Sequence, residues 1–216
     1  MMSYRHYGYE AFNISDPKPR NIHKASVRNR VLHRALYRIL YPFFDRTFIS
    51  DSYSCRYDKA TYKAMDKFLR KFFFKVSENN KKTVWVLKCD IRKFFASVNH
   101  DTLKAILKSY VPDDKVLSLL WVIIDSFSVR TGTGLPLGNF TSQLFVNIYM
   151  NEFDQFVKHK LKAKYYIRYA DDFVVLSQDK AWLEEMLPKM GGLSSREIKI
   201  KSASRQGFHQ NPRFRN

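Results

Sequence analysis

The chain has 216 residues, enough for one large domain or two small ones. Hydrophobic residues make up 45% and aromatics 16%, which supports a proper core and excludes a largely disordered chain. Lysine and arginine number 38 against 20 acidic residues, a net charge of +18 spread through the sequence, so a polyanion, with nucleic acid first, is the expected partner.

Cys55 and Cys89 form no CxxC pair, and the six histidines show no HxxxH or HxH spacing, which argues against zinc and fits a reducing, cytoplasmic setting. No run approaches the ~18 apolar residues of a membrane span, so no membrane partner is expected.

The first 25 residues read as extended, with a Pro-bracketed turn at Asp16–Pro19. A helix capped by Ser26 follows, its stripe formed by Val27, Val31, Leu32, Ala35, Leu36, Ile39 and Leu40, and Pro42 ends it. A second helix is expected over Lys59 to Phe74, with Ala64, Met65, Phe68, Leu69 and Phe72 buried. "TVWVLKCD" reads as a strand covered on both faces and ending at Asp90. "NHDTLKAILKSY" is a capped helix, and another helix spans Asp113 to Phe127. After the loop "TGTGLPLGN", a long helix runs from Thr141 to Leu161, with Phe145, Ile148, Tyr149, Phe156 and Leu161 on its stripe. "YYIRYADDFVVLS" gives strand, short turn, strand. From residue 188 the chain is polar and basic with almost no apolar periodicity, and it is expected to be disordered or truncated. This order predicts an α+β fold with an antiparallel sheet packed on helices.

Asp171 and Asp172 sit in the turn between two apolar strands. A bare Asp pair is ordinary turn chemistry. Here a third strand-end carboxylate, Asp90, joins them if the strands are neighbours. Three anions at one sheet edge suit hard divalent cations, and two Mg²⁺ ions held by such carboxylates are the apparatus of phosphoryl transfer.

The motifs then resemble a known family. "YIRYADDFVVL" is similar to the Y-x-D-D box of reverse transcriptases, and "LKCDIRKFFASVNHDTL" to their first carboxylate motif. "GLPLGNFTSQLFVNIYMNEFD" resembles the loop and helix between those two. "DPKPRNIHKASVRNRVLHRAL" and "FISDSYSCRYDKATYKAMDK" look like fingers motifs of the bacterial enzymes. Many reverse transcriptases carry Gln before the loop glycine and Ser-Pro beyond it; here those positions hold Leu137 and Gln143. That form resembles the error-prone enzymes of diversity-generating retroelements. Retron, group II intron and phage-defence reverse transcriptases are the alternatives, as is a catalytically dead fragment that only binds RNA or a protein partner.

The resemblance implies a right-hand polymerase with fingers over residues 1–82, palm over 83–187 and a tail over 188–216. It implies an RNA template, a DNA or RNA primer, dNTPs, and two Mg²⁺ ions for which Mn²⁺ can substitute. It also implies a basic pentameric accessory protein. Asp90, Asp171 and Asp172 would be the catalytic metal ligands, with the Ile91 carbonyl a further ligand. Arg20, Arg28, Arg30, Phe95, Leu137 and Gly138 would bind the dNTP, Phe95 as a wall against a 2′-OH. Ser142, Gln143 and Tyr169 would meet template or primer; capping by Ser142 and Gln143, and packing by Tyr169, are the plain alternatives.

Two departures from the family pattern stand out. Ala60 occupies a usual glycine position, where a left-handed turn would be strained. Past the YxDD hairpin no helix, primer grip or thumb is recognisable, so the thumb is expected to be missing.

Overall fold

In the computed structural model the described residues are 4–15, 19–190 and, for the backbone alone, 197–203. Contacts divide the chain into two compact units: residues 1–48 with 93–152, and residues 49–92 with 153–216.

The first unit opens with an antiparallel hairpin, β1 (Tyr9–Ser15) and β2 (Pro19–Ala25). The turn expected at Asp16–Pro19 lies mostly outside the described residues. Helix α1 spans Val27–Asp45, and the Ser26 hydroxyl accepts the Asn29 N–H at 3.4 Å, the expected cap. Its buried face differs from the expected stripe. Asn29, His33, Leu36, Tyr37, Leu40, Tyr41 and Phe44 are inside, while Val27, Val31, Ala35 and Ile39 are exposed. Aromatic and polar side chains with internal partners hold the core positions, and the β-branched residues face out. Pro42 does not end the helix. It removes the N–H that would bond the Arg38 carbonyl, but both residues are exposed, so water can take that carbonyl.

The unit continues with α4 (Phe94–Ser97), α5 (His100–Tyr110) and α6 (Asp114–Asp125). Asn99 caps α5 by accepting the Thr102 N–H at 2.8 Å, and Asp113 caps α6. Helix α7 (Phe140–Gln155) continues through a π-helical turn, Phe156–Lys160, close to the expected bounds. Its buried residues include Leu144, Phe145, Val146, Ile148 and Met150, whereas Tyr149 and Leu161 are half-buried and Phe156 is exposed.

The second unit holds a four-stranded antiparallel sheet, ordered β4–β5–β3–β6, with β3 (Val84–Asp90), β4 (Tyr166–Tyr169), β5 (Asp172–Ser177) and β6 (Glu197–Ala203). One face packs on α2 (Thr61–Asp66), its π-helical continuation Lys67–Phe73 and α3 (Phe74–Val76). The wider π turn lets Phe68, Phe72 and Phe73 all bury against Val84, Val86, Ile167 and Leu176. Leu87, Cys89, Phe173 and Val175 are buried on the opposite face, so β3 is covered on both sides as expected.

Three expectations are corrected here. Ala60 is extended, with φ −88°, and the left-handed residues of that loop are Cys55 and Asp58, so no strain falls on Ala60. A helix does follow the hairpin: α8 (Lys180–Lys189) is capped by Asp179 and buries Leu183 and Met186. Within the tail expected to be disordered or truncated, β6 pairs along β3 from Val84↔Ala203 to Asp90↔Glu197. The remainder of the tail, residues 191–196 and 204–216, lies outside the described residues. Among the described residues no helix is long and apolar enough to cross a membrane.

Candidate active site

The expected neighbourhood of strands is observed within the second unit. β3 pairs with β5 in a register that sets Asp90 opposite Asp172. Directly opposed residues share a face of the sheet, so both positions lie on the face that carries Lys88 and Tyr169. The turn from β4 to β5 is Ala170–Asp171, flanked by the pair Tyr169↔Asp172. Ala170 takes φ +54°, and the Ile91 N–H donates to the Asp171 carbonyl at 3.3 Å, tying the end of β3 to this turn.

All three carboxylates are half-buried. Lys88 Nζ stands 3.5 Å from Asp172 Oδ1 and offsets part of the like-charge repulsion. Among the described residues no three His, Cys, Asp or Glu side chains close into a metal cage. The backbone therefore brings Asp90 and Asp172 together with Asp171 adjacent, while the side chains do not form a finished three-ligand cluster. The donor set is hard carboxylate oxygen at a strand end, which suits Mg²⁺ or Mn²⁺ in kind.

Beneath the turn lies a buried charge network that sequence reasoning missed. Arg168 is 1% exposed and Asp154 0%. The Arg168 Nε donates to both Asp154 oxygens at 2.8 and 3.0 Å, and Nη2 to Oδ2 at 2.7 Å. The same guanidinium donates to the Ser52 hydroxyl at 3.0 Å and, from Nη1, to the Ala170 carbonyl at 3.0 Å. The Tyr166 hydroxyl donates to Asp154 Oδ1 at 2.5 Å. Burial alone would lower the Arg168 pKa, but the adjacent Asp154 carboxylate outweighs it and raises it. Burial, helped by the Asp154 charge, pushes the Tyr166 phenol well above its ordinary range. Asp51, also buried, pairs with Lys67 and with Lys158 at 2.8 Å. The available signal was parity: on a short strand covered on both faces, an arginine flanked by Ile167 and Tyr169 has to bury, and then needs an acid.

Tyr169 is 39% exposed beside Asp172, so it is open and not packed in the hairpin. The other predicted residues belong to the first unit. Arg20, Arg28 and Arg30 are exposed; Arg28 lies over the Tyr7 ring at 5.9 Å. Phe95 is half-buried against Phe94, and its carbonyl accepts the Leu135 N–H at 2.7 Å. Leu137 is half-buried, and its carbonyl accepts the His23 N–H at 3.0 Å. Gly138 takes φ +99°, and a Cβ there would sit 2.8 Å from the Ile22 side chain, so glycine is required by close packing on the hairpin. Ser142 is buried in the first turn of α7, and Gln143 is half-buried beside it.

An α+β unit with paired carboxylates at adjoining strand ends, anchored from below, is the palm of a nucleic-acid polymerase in form. The family model "Reverse transcriptase (RNA-dependent DNA polymerase)" matches residues 15–210, and the chain belongs to that family. It is 24% identical over 226 residues to Protein YkfC of Escherichia coli, covering 87% of this chain and 58% of that protein. It is 24% identical over 143 residues to the group II intron-encoded protein LtrA of Lactococcus lactis subsp. cremoris, covering 63% of this chain and 22% of the relative. Apo telomerase from Candida tropicalis superposes with a TM-score of 0.64 at 12% identity, over 94% of this chain and 45% of that one. Telomerase from Candida albicans, in complex with a fragment of telomeric RNA, gives 0.62 at 11% identity, over 90% and 41%. These likenesses bear out the expected α+β fingers-and-palm fold. The chain spans little more than half the length of YkfC and less of the other relatives.

Proposed function

We propose that this chain is the polymerase core of a reverse transcriptase that extends a primer 3′-OH on an RNA template with dNTPs. The carrying observation is the register that opposes Asp90 to Asp172 beside Asp171, in a member of this family. Asp90, Asp171 and Asp172, with the Ile91 carbonyl, would hold two Mg²⁺ ions. When bound, those ions supply activation of the attacking hydroxyl and stabilisation of the leaving oxygen. Lys88 offsets part of the charge of the pair in the unloaded protein, and Arg168 fixes the turn through the Ala170 carbonyl. Tyr169 offers an open aromatic surface to the primer end. Arg20, Arg28 and Arg30 offer planar guanidinium groups for phosphate, and Phe95 a wall that excludes a ribose 2′-OH. The two cysteines are free thiols, which supports a reducing, cytoplasmic site of action.

Leu137 supports the diversity-generating subtype. An apolar side chain cannot hydrogen-bond an incoming nucleotide as Gln can, which loosens discrimination between correct and incorrect pairs. A basic pentameric accessory protein is the partner that subtype implies. The intron-encoded relatives favour a second reading, a group II intron type enzyme.

Primer extension on poly(rA) tests the activity. Mg²⁺-dependent dNTP incorporation is expected in the parent, and Asp171→Ala should lower it by more than the roughly 10–100-fold typical of outer-shell metal partners. Equal activity in both proteins, or none on any template, defeats the polymerase reading. Leu137→Gln separates the subtypes: errors opposite template adenine should fall several-fold, and an unchanged error rate removes the support that Leu137 gives.

A further inference from the structure

At the other end of the sheet the second unit has a pocket of about 460 Å³. Asp172 and Ser177 mark the two ends of β5, and Ser177 lines this pocket. Five strand steps separate them, roughly 17 Å at about 3.4 Å per residue, so the pocket is distinct from the carboxylate pair.

Its chemistry is of two kinds. Lys75, Lys162 and Lys164 bring three ammonium groups, all on exposed residues. Tyr165 and Trp182 bring two half-buried aromatic rings. The one acid on the lining, Glu78, is already engaged by Lys82 at 2.7 Å and by the Gln178 amide at 3.2 Å. The rings sit on fixed supports. Tyr165 is braced edge-on by Phe72 at 5.3 Å, and Lys164 Nζ lies 5.5 Å from its ring centre. Trp182 stands in the first turn of α8, where the Asp179 carboxylate accepts its backbone N–H at 3.0 Å and caps the helix that carries the ring. The Gln178 amide donates to the Val76 carbonyl at 2.7 Å and ties the end of β5 to the end of α3.

Cations set among aromatic rings suit a single nucleic-acid strand: the lysines take phosphate, and the rings take an unpaired base face. An acidic peptide would use the lysines and waste the rings. A duplex keeps its bases stacked and out of reach. We propose that this pocket holds an unpaired nucleotide of a single-stranded RNA, as a contact separate from the polymerisation site. The choice of RNA rests on the function proposed above; the pocket's chemistry does not.

The test is fluorescence anisotropy with labelled oligo(U), and photo-crosslinking with the same strand carrying 5-iodouridine. Lys162→Glu with Lys164→Glu should weaken binding at least tenfold and flatten the salt dependence by about 1.4, which is two phosphates at about 0.7 each. Trp182→Leu should weaken binding at least fivefold, and Trp182→Phe should keep it within about threefold, because a stacking ring is retained. Lys108→Glu with Lys115→Glu makes the same charge change at exposed positions elsewhere and should alter binding less than twofold. The crosslink should map to Trp182 or Tyr165, and an RNA duplex should not form it. If the pocket variants match the Lys108/Lys115 control, the proposal is overturned. Crosslinks confined to other residues overturn it too, as does a crosslink formed with free iodouridine monophosphate but not with the strand. Primer extension is read separately from oligo(U) binding and crosslinking, and a pocket that binds and crosslinks the strand while no dNTP is incorporated, or the reverse, keeps a failed polymerase reading and a failed pocket distinguishable.

Discussion

The two units bury polarity by opposite means. In the first, the buried network is neutral: His33 bonds His6 Nε2 at 3.1 Å and the Thr141 hydroxyl at 3.2 Å, and Asn29 bonds the Tyr7 carbonyl at 3.0 Å and the Tyr4 hydroxyl at 3.0 Å. In the second it is ionic, with Arg168 and Asp154 both at most 1% exposed. A neutral network costs less to desolvate but collapses if protonated. An ionic one is expensive to bury and holds its geometry through several charge-assisted bonds. The ionic one lies under the turn that bears the proposed metal ligands, where geometry matters most.

The largest expected effect tests the ionic side. Asp154→Ala leaves the Arg168 guanidinium buried without its carboxylate and strips the Tyr166 hydroxyl of its acceptor. It should cost about 3–5 kcal/mol. Arg168→Met should cost a similar amount by stranding Asp154. The double variant Asp154→Leu with Arg168→Met removes both charges and should be less damaging than either single change. Urea unfolding of a version keeping Trp85 as its only tryptophan reports on this unit. A double variant as unstable as the sum of the singles would mean that the pair is packed by shape and not by charge.

Next comes the neutral side, and its handle is pH. Burial, with a smaller push from His6, takes the His33 pKa from 6.5 down to about 4. The unfolded chain therefore binds the extra proton first. Stability is fully present above about pH 6.5, falls as the pH drops through the window to about 4, and levels off below it. The loss is on the order of 3 kcal/mol. A version keeping Trp121 as its only tryptophan follows the first unit, and His33→Gln should flatten its pH dependence between pH 7 and 4.5. If the parent loses under about 1 kcal/mol across that range, His33 is not the acid-sensitive group.

The same contrast explains what was legible in the sequence. β3 and β5 could be found because Val, Trp, Leu and Phe dominate them, and the chemistry of Asp90, Asp171 and Asp172 announced itself by position. The buried face of α1 could not, since periodicity counts Val27, Val31 and Ile39 as core and counts Asn29 and His33 as surface. Only their partners, Tyr4 and His6 over 20 residues upstream and Thr141 over 100 downstream, reverse that assignment. Arg168 was hidden for the same reason, because its acid lies in α7 and not beside it. β6 was hidden because a basic segment such as "EIKIKSA" becomes a strand through the open edge of β3, a property of the sheet and not of the segment.

The smallest effect calibrates the comparison. Each unit has a helix capped by one side-chain oxygen: Asn99 accepts the Thr102 N–H at 2.8 Å in the first, and Asp179 the Trp182 N–H at 3.0 Å in the second. Neither cap is buried, Asn99 being half-buried and Asp179 exposed, so neither carries the burial terms that separate the units. Asn99→Ala and Asp179→Ala should each cost about 1 kcal/mol, read through Trp121 and Trp85 respectively. Asp179 adds a charge at the positive end of the α8 dipole, worth about 0.3–1 kcal/mol, so its loss should be the larger and should shrink in high salt. Caps that differ by no more than this charge contribution, beside unequal cores, would place the difference between the units in their buried networks. A cap effect of several kcal/mol in one unit would instead mean that local helix stability limits that unit, and the Asp154 and His33 results would then have to be measured against that limit.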